Sequence, residues 1–215
     1  MHLALKHRNG CTAASGQQWR GMRLKHPIWA LLAGGLILLG CVEGVGFGAG
    51  AARPVLQGGF TIDAPTGYCM DAKASRETAD SGIYLIGRCR QNSPVAPALI
   101  SVSVGAPGSA GVMLAGGEEL AAFFTSDEGR ATLSASGEAS AVRVLEARST
   151  GETGEIFVMR LQERGGPDYW RAIMGTRGRL VSVSVRAAGD DALASESGRE
   201  VLDRAIASLQ RANRL

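Results

Sequence analysis

All three histidines of the chain, His2, His7 and His26, stand just ahead of a hydrophobic run that begins at Pro27, and none follows it. A Ser-His-Asp relay, a Cys-His nucleophile and a histidine-held metal each need an imidazole in the folded part. Lys73 is the one lysine after Lys25, and its polar surroundings lack the burial that turns a lysine into a base or nucleophile. No Gly-x-x-x-x-Gly-Lys phosphate loop is present. Gly105-x-x-Gly108-x-x-Gly111 carries Pro107 inside it and has the wrong spacing for a dinucleotide fingerprint. Carboxylates are plentiful, among them Asp63, Asp71, Asp80, Glu146, Glu155, Glu163 and Asp168. Nothing in their spacing pairs them, and each reads as surface charge or turn chemistry. The expectation is a protein that does not catalyse and holds neither metal nor cofactor. A carboxylate-dependent hydrolase of envelope polymers and an accessory subunit of a membrane complex are the alternatives.

Two groupings remain. In Asp168-Tyr169-Trp170-Arg171, strand alternation puts Tyr169 and Arg171 on one face and Trp170 on the other. Trp, Tyr and Arg dominate interface hot spots, so Tyr169, Trp170 and Arg171 are the candidate interaction surface. The competing reading buries Trp170 in the core with Tyr169 and Arg171 at its rim. The second grouping is Cys69 and Cys89, which are left to pair if Cys11 and Cys41 belong to a leader. An isolated pair in an exported domain reads as a disulfide closing a loop of about twenty residues, worth about 3 kcal/mol. Two buried free thiols are the other reading.

The leader must position everything behind it. No charge occurs from Pro27 to Val42, and Ile28 to Gly40 is strongly apolar, preceded by Arg23 and Lys25. That is the layout of a bacterial signal sequence. Met22 opens a compact version of it. Residues 1–21 therefore read as an upstream extension outside the natural protein or as a disordered segment, and 22–41 as the signal or anchor segment. Leu38-Leu39-Gly40-Cys41 resembles a lipobox, which makes Cys41 a lipidation site. Two rivals are an uncleaved single-pass transmembrane anchor and cleavage at Ala49-Gly50-Ala51 with secretion. The first two place the protein at the bacterial cell envelope, its domain in the periplasm, with membrane lipid and an envelope protein as partners. A nucleic-acid partner is not expected. The formal net charge is +3, but five of the 23 basic residues precede Glu43, leaving 18 basic against 20 acidic residues behind them.

Behind the leader, residues 42–57 are rich in Gly and Ala and read as a tether, followed by one domain over 58–215. Phe60 and Ile62 suggest a short strand turning at Pro65-Thr66-Gly67. Asp71 to Gly82 reads as a polar loop. Ile83–Cys89 and Ala98–Val104 read as strands. Gly117 to Ser134 is helical, with Leu120, Phe123 and Phe124 as its apolar face and Ser126 capping a second short helix. Four strands follow, over Val142–Ser149, Glu155–Gln162, Tyr169–Met174 and Leu180–Val185, with short connections that imply an antiparallel meander. Ser197-Gly-Arg-Glu200 fits a capping box opening a helix whose Val201, Leu202, Ala205, Ile206 and Leu209 form one stripe. The arginines of the meander's polar face are expected to interleave with Glu146, Glu155 and Glu163 across strands. The fold class is α+β: an antiparallel meander sheet packed by a C-terminal amphipathic helix and a shorter middle helical region, after an N-terminal hydrophobic leader.

The opening strand running into Pro65-x-Gly67-Tyr68, the closing strand Gly178-Arg-Leu-Val-Ser-Val183 and the final amphipathic helix resemble the PsbP/DcrB-like α/β/α group. That resemblance implies an accessory lipoprotein rather than an enzyme. The chain also resembles small proteobacterial envelope proteins with Pro65-x-Gly67-Tyr68-Cys69, Ala121-Ala122-Phe123-Phe124 and Asp168-Tyr169-Trp170-Arg171-Ala172. Some members carry the label "cation transport ATPase". That activity needs an Asp-Lys-Thr-Gly-Thr phosphorylation motif and many membrane spans, and this sequence has neither.

Overall fold

Strand alternation decides which side chains each face of a sheet receives, and one seven-stranded antiparallel sheet carries nearly all of this chain's core. The computed structural model describes residues 52–151 and 155–214. The expectations for residues 1–21, the 22–41 leader and Cys41 lie outside the described residues. Strands β1 (Arg53–Val55) and β2 (Phe60–Ile62) form a two-stranded ribbon. The main sheet contains β3 (Tyr68–Glu77), β4 (Gly82–Arg88), β5 (Ala98–Val104), β6 (Val142–Thr150), β7 (Ile156–Glu163), β8 (Asp168–Thr176) and β9 (Arg179–Ala187). Its spatial order is β3-β4-β5-β9-β8-β7-β6. Helices α1 (Gly117–Thr125) and α2 (Asp127–Leu133) join β5 to β6, and α3 (Ser195–Asn213) ends the fold. The expected meander is present as β6 to β9, and a second meander, β3 to β5, joins it through the β5–β9 pairing.

Each face has its own core. Ile100, Val102, Val181, Val183, Val185 and Trp170 pack with Tyr68, Tyr84 and the α3 stripe of Val201, Leu202, Ala205, Ile206 and Leu209. On the reverse face Phe157, Met159, Leu161, Tyr169 and Ile173 pack with Leu120 of α1 and Leu133 of α2. The result is three layers, with the sheet in the middle. Phe124 stacks on Phe157 at 5.8 Å between ring centroids, whereas Phe123, expected on the same apolar face, is exposed. Ser126 caps α2 as expected, its Oγ accepting from the Gly129 N–H at 3.1 Å.

Three boundaries differ from the sequence reading. The ordered fold begins ahead of Gly58: β1 pairs with β2, and Val55 and Leu56, assigned to the tether, are buried. The stretch read as a loop, Asp71 to Gly82, is mostly the edge strand β3. Its register breaks between Asp71 and Arg76. There the Asp71 carboxylate accepts from the Lys73 and Ala74 N–H groups at 2.9 and 3.1 Å, and the Ser75 hydroxyl accepts from the Leu85 N–H at 3.1 Å. The opposite edge, β6, is also irregular between Val144 and Glu146. Bulged edges resist pairing with another chain. Finally, α3 starts at Ser195, not at a Ser197 capping box. Its N-cap is Ala194, and no side chain caps it.

One residue ties the end of α3 to the β1–β2 ribbon. Asn213, buried at its end, accepts from the Thr61 N–H at 2.9 Å and donates to the Thr61 and Leu209 carbonyls at 2.8 Å. At the β8–β9 turn, Arg177 and Gly178 both have positive φ, 52° and 72°, as a type I′ hairpin requires.

Tyr68, Tyr84 and Tyr169 are all buried, and desolvation raises the phenol pKa of each above the ordinary value of 10.0. A raised folded-state pKa contributes stability in full below the unfolded pKa and loses it as pH rises through the folded value. Stability is therefore expected to fall from about pH 9 to about pH 11 as unfolded tyrosines ionise. Urea midpoints across that window should fall less for Tyr84→Phe than for the parent. Equal slopes would remove Tyr84 from the account.

Candidate binding face

Cys69 and Cys89 form the disulfide, with S–S 2.01 Å and Cα–Cα 4.9 Å. Strand pairing brings them there: Tyr68 faces Arg88 in the β3–β4 ladder, and the Cys89 N–H donates to the Gly67 carbonyl at 3.1 Å. The bond fastens the sheet edge rather than building a reactive centre.

Of the three candidate surface residues, β8 sends Trp170 to one side and Tyr169 and Arg171 to the other, as strand alternation predicts. Trp170 is 7% exposed in the core beneath α3. Its indole N–H donates to the Ser195 carbonyl at 2.8 Å, and the Arg199 guanidinium lies over its ring at 5.1 Å. Trp170 is thus a core residue and does not share a surface with its neighbours.

The reverse side of β8 holds a denser arrangement. Tyr169 is 3% exposed, and the Arg186 guanidinium lies over its ring, 3.6 Å from the centroid. Glu163 bonds that guanidinium at 2.7 Å, which holds the Glu163 carboxyl below its ordinary pKa. The Arg171 Nε–H donates to the Ser184 hydroxyl at 2.8 Å, and its guanidinium sits 5.9 Å from the Tyr169 ring. Burial lowers the Arg171 pKa. Among the described residues no carboxylate forms an ion pair with Arg171, and the buried Tyr169 hydroxyl has no hydrogen-bond partner. A partly desolvated cation with no counter-ion and an unmet phenol beside it are both costly. The expected interleaving of charges across strands holds here for Arg186 with Glu163, whereas Glu146 pairs within its own strand, with Arg148 at 2.7 Å.

This cluster borders a bare region. Helices α1 and α2 cover the reverse face over β6 and β7, while no described helix packs on that face over β4 and β5. Ile83 and Leu99 are exposed there, at 52% and 38%. Leu85, Ser101, Ser103 and Ser182 are partly so. Register aligns Leu85, Ser101, Ser184 and Arg171 in one row across four strands. Ser184, Arg186 and Glu163 were not singled out from the sequence as site residues. The available signal was the repeated Ser-x-Ser of β5 and β9, which puts small polar side chains on one face of two neighbouring strands.

Elsewhere, a cavity of about 340 Å³ between β1 and β3 is lined by Arg53, Arg76, Glu77 and Tyr84 among others. Its carboxylate, Glu77, already accepts from the Leu56 N–H at 3.0 Å and the Tyr84 hydroxyl at 2.9 Å. Glu118 and Glu155 border an open depression of about 630 Å³ beside α1. Among the described residues no cluster of three His, Cys, Asp or Glu side chains could hold a metal, and no helix is long and apolar enough to cross a membrane.

The fold and this face define a three-layer α+β domain with a half-covered sheet. Two solved structures are similar at low identity. Cyanobacterial PsbP (CyanoP) from Synechocystis sp. PCC 6803 has a TM-score of 0.46 and 14% identity over 79% of this chain and 96% of that one. A point mutant of the protein Mog1 has a TM-score of 0.40 and 10% identity over 76% and 94%. Both likenesses are weak and concern the fold alone. No protein family and no curated protein matches the chain.

Proposed function

We propose that this chain is a membrane-tethered protein of the bacterial envelope that works by binding a protein partner rather than by catalysis, as an accessory subunit would. The observation that carries the reading is the half-covered reverse face. A sheet face over β4 and β5 that presents Ile83, Leu85 and Leu99 to solvent, with serines between, is a surface built to be covered. The hydrophobic leader and Cys41 supply the tether, and the periplasm is the compartment that suits the Cys69–Cys89 disulfide. Glu163, paired with Arg186 beside Tyr169, is kept ionised by it, which suits a fixed charge and not a proton donor.

A photoreactive side chain placed at Ser101, Ser103 or Ser182 in the full chain tests this in intact cells. A discrete envelope protein is expected to be captured from these positions and not from Asp203 or Ala207 on the outer side of α3. Equal capture from both sets would overturn the binding face. Intact mass of the membrane-derived protein reports the tether, expected as a chain that starts at lipidated Cys41 or retains the segment before it. A soluble chain beginning beyond residue 41 would overturn it.

A further inference from the structure

Arg171 has geometry that the binding reading alone does not explain. Its Nε–H is fixed by Ser184, itself 4% exposed, so the guanidinium is aimed by a buried hydroxyl rather than left to wander. Its partly buried charge meets no carboxylate in ion-pair contact, whereas the neighbouring Arg186 already has Glu163. The enclosed Tyr169 hydroxyl beside it lacks an acceptor. With two guanidiniums and one carboxylate, the cluster carries one uncompensated positive charge. Guanidinium forks bind carboxylates in a planar, two-point fashion.

We propose that Arg171, aimed by Ser184 and packed beside Tyr169, receives the carboxylate of an acidic side chain from an extended segment of the protein partner. The segment lies on the open face along the row Arg171, Ser184, Ser101, Leu85. This rests on the binding reading above and names its chemistry. The row spans three inter-strand spacings, about 14 Å from Arg171 to Leu85. An extended segment covers that distance in about four residues. The matching ligand therefore carries an acid at one position and an aliphatic side chain four positions away, set against Leu85 and Leu99, with small residues between them over the serines. A single net charge and an aliphatic far end suit a carboxylate on a peptide better than a phosphate.

The test titrates the full chain, in detergent micelles, with acetyl-Glu-Ser-Gly-Ser-Leu-amide, following the Arg171 side-chain N–H resonance. Saturable shifts are expected, with at least tenfold weaker binding for the peptide bearing Gln in place of Glu. Arg171→Gln should weaken the Glu peptide at least tenfold. Ser101→Glu, a change on the open face that leaves Arg171 in place, should weaken it as well, which keeps the test sound if Arg171→Gln unfolds. Equal binding of the Glu and Gln peptides, no saturation, or inorganic phosphate binding tenfold more tightly than the Glu peptide would each overturn the carboxylate site. Cross-links from Ser101 and Ser103 that persist in Arg171→Gln would sink this assignment while sparing the binding face. Loss of those cross-links in the parent chain would instead remove the face itself.

Discussion

Replacing Trp170 by alanine is expected to remove about 3–5 kcal/mol of unfolding free energy, a large share of a typical domain's 5–15 kcal/mol. Three losses combine. The indole is nearly fully buried between β8 and α3, so its removal leaves a cavity in the main core. Its N–H is the partner of the Ser195 carbonyl in the first turn of α3, and that carbonyl is left without it. The helix also approaches the ring closely: a Cβ on Gly198 would stand 3.3 Å from Trp170 Cδ1. That contact is lost with the ring. Trp170→Phe separates these contributions, because it retains most of the ring and loses only the donor, at a cost of about 1 kcal/mol. Urea denaturation of the three proteins reads the series directly. A Trp170→Ala variant within about 0.5 kcal/mol of the parent would refute the core placement and return Trp170 to the surface.

Opening the Cys69–Cys89 bridge ranks second. The cysteines are 20 residues apart, and releasing a loop of that size returns about 3 kcal/mol of conformational entropy to the unfolded chain. For a domain of this size that corresponds to a melting temperature lower by about 6–12 °C. The double variant Cys69→Ala with Cys89→Ala is the cleaner measurement, since it leaves neither cysteine of the bridge to pair elsewhere. The loss should be felt first at the sheet edge. There β3 pairs with β4 only through Tyr68–Asp71 and Arg76–Glu77, on either side of its bulge. Amide exchange in β3 should accelerate more than in β8 and β9, which are paired on both sides. A shift under about 2 °C with unchanged exchange at the edge would show that the bridge does not constrain the fold.

Much of the architecture was legible where one face of a strand or helix is buried. Val181, Val183 and Val185 alternate because β9 is central, and the α3 stripe repeats because one side of the helix meets the sheet. The reading failed where that asymmetry is missing. Asp71 to Glu77 looks like a loop because β3 is an edge strand with most of its side chains in solvent and a bulge in its middle. The Ser197 box is a sound local pattern, yet α3 opens earlier, where Ser195 is held by its carbonyl to Trp170 and by its hydroxyl to Asp168 at 2.9 Å. Tertiary contacts there outweigh the local capping preference.

The candidate site was legible only in part, for a related reason. That Tyr169 and Arg171 share a face follows from strand periodicity alone. That Ser184 fixes Arg171 follows from the register of β8 on β9, and that the open face begins there follows from β5 pairing with β9 across most of the domain's length. Neither fact is contained in a local window of residues. The uncovered face is harder still to infer, because it depends on where α1 and α2 do not reach.

The β5–β9 pairing also bears on when the molecule can form. Ala98 meets Ala187 and Val104 meets Val181, so the first meander has no neighbour until the last strand has been made. The β1–β2 ribbon waits even longer, since Thr61 is held by Asn213 in the final turn of α3. High sequence separation of this kind slows folding, because the loop must close before the contacts reward it. A chain delivered from its N-terminus onward therefore cannot complete its sheet until nearly all of it has arrived.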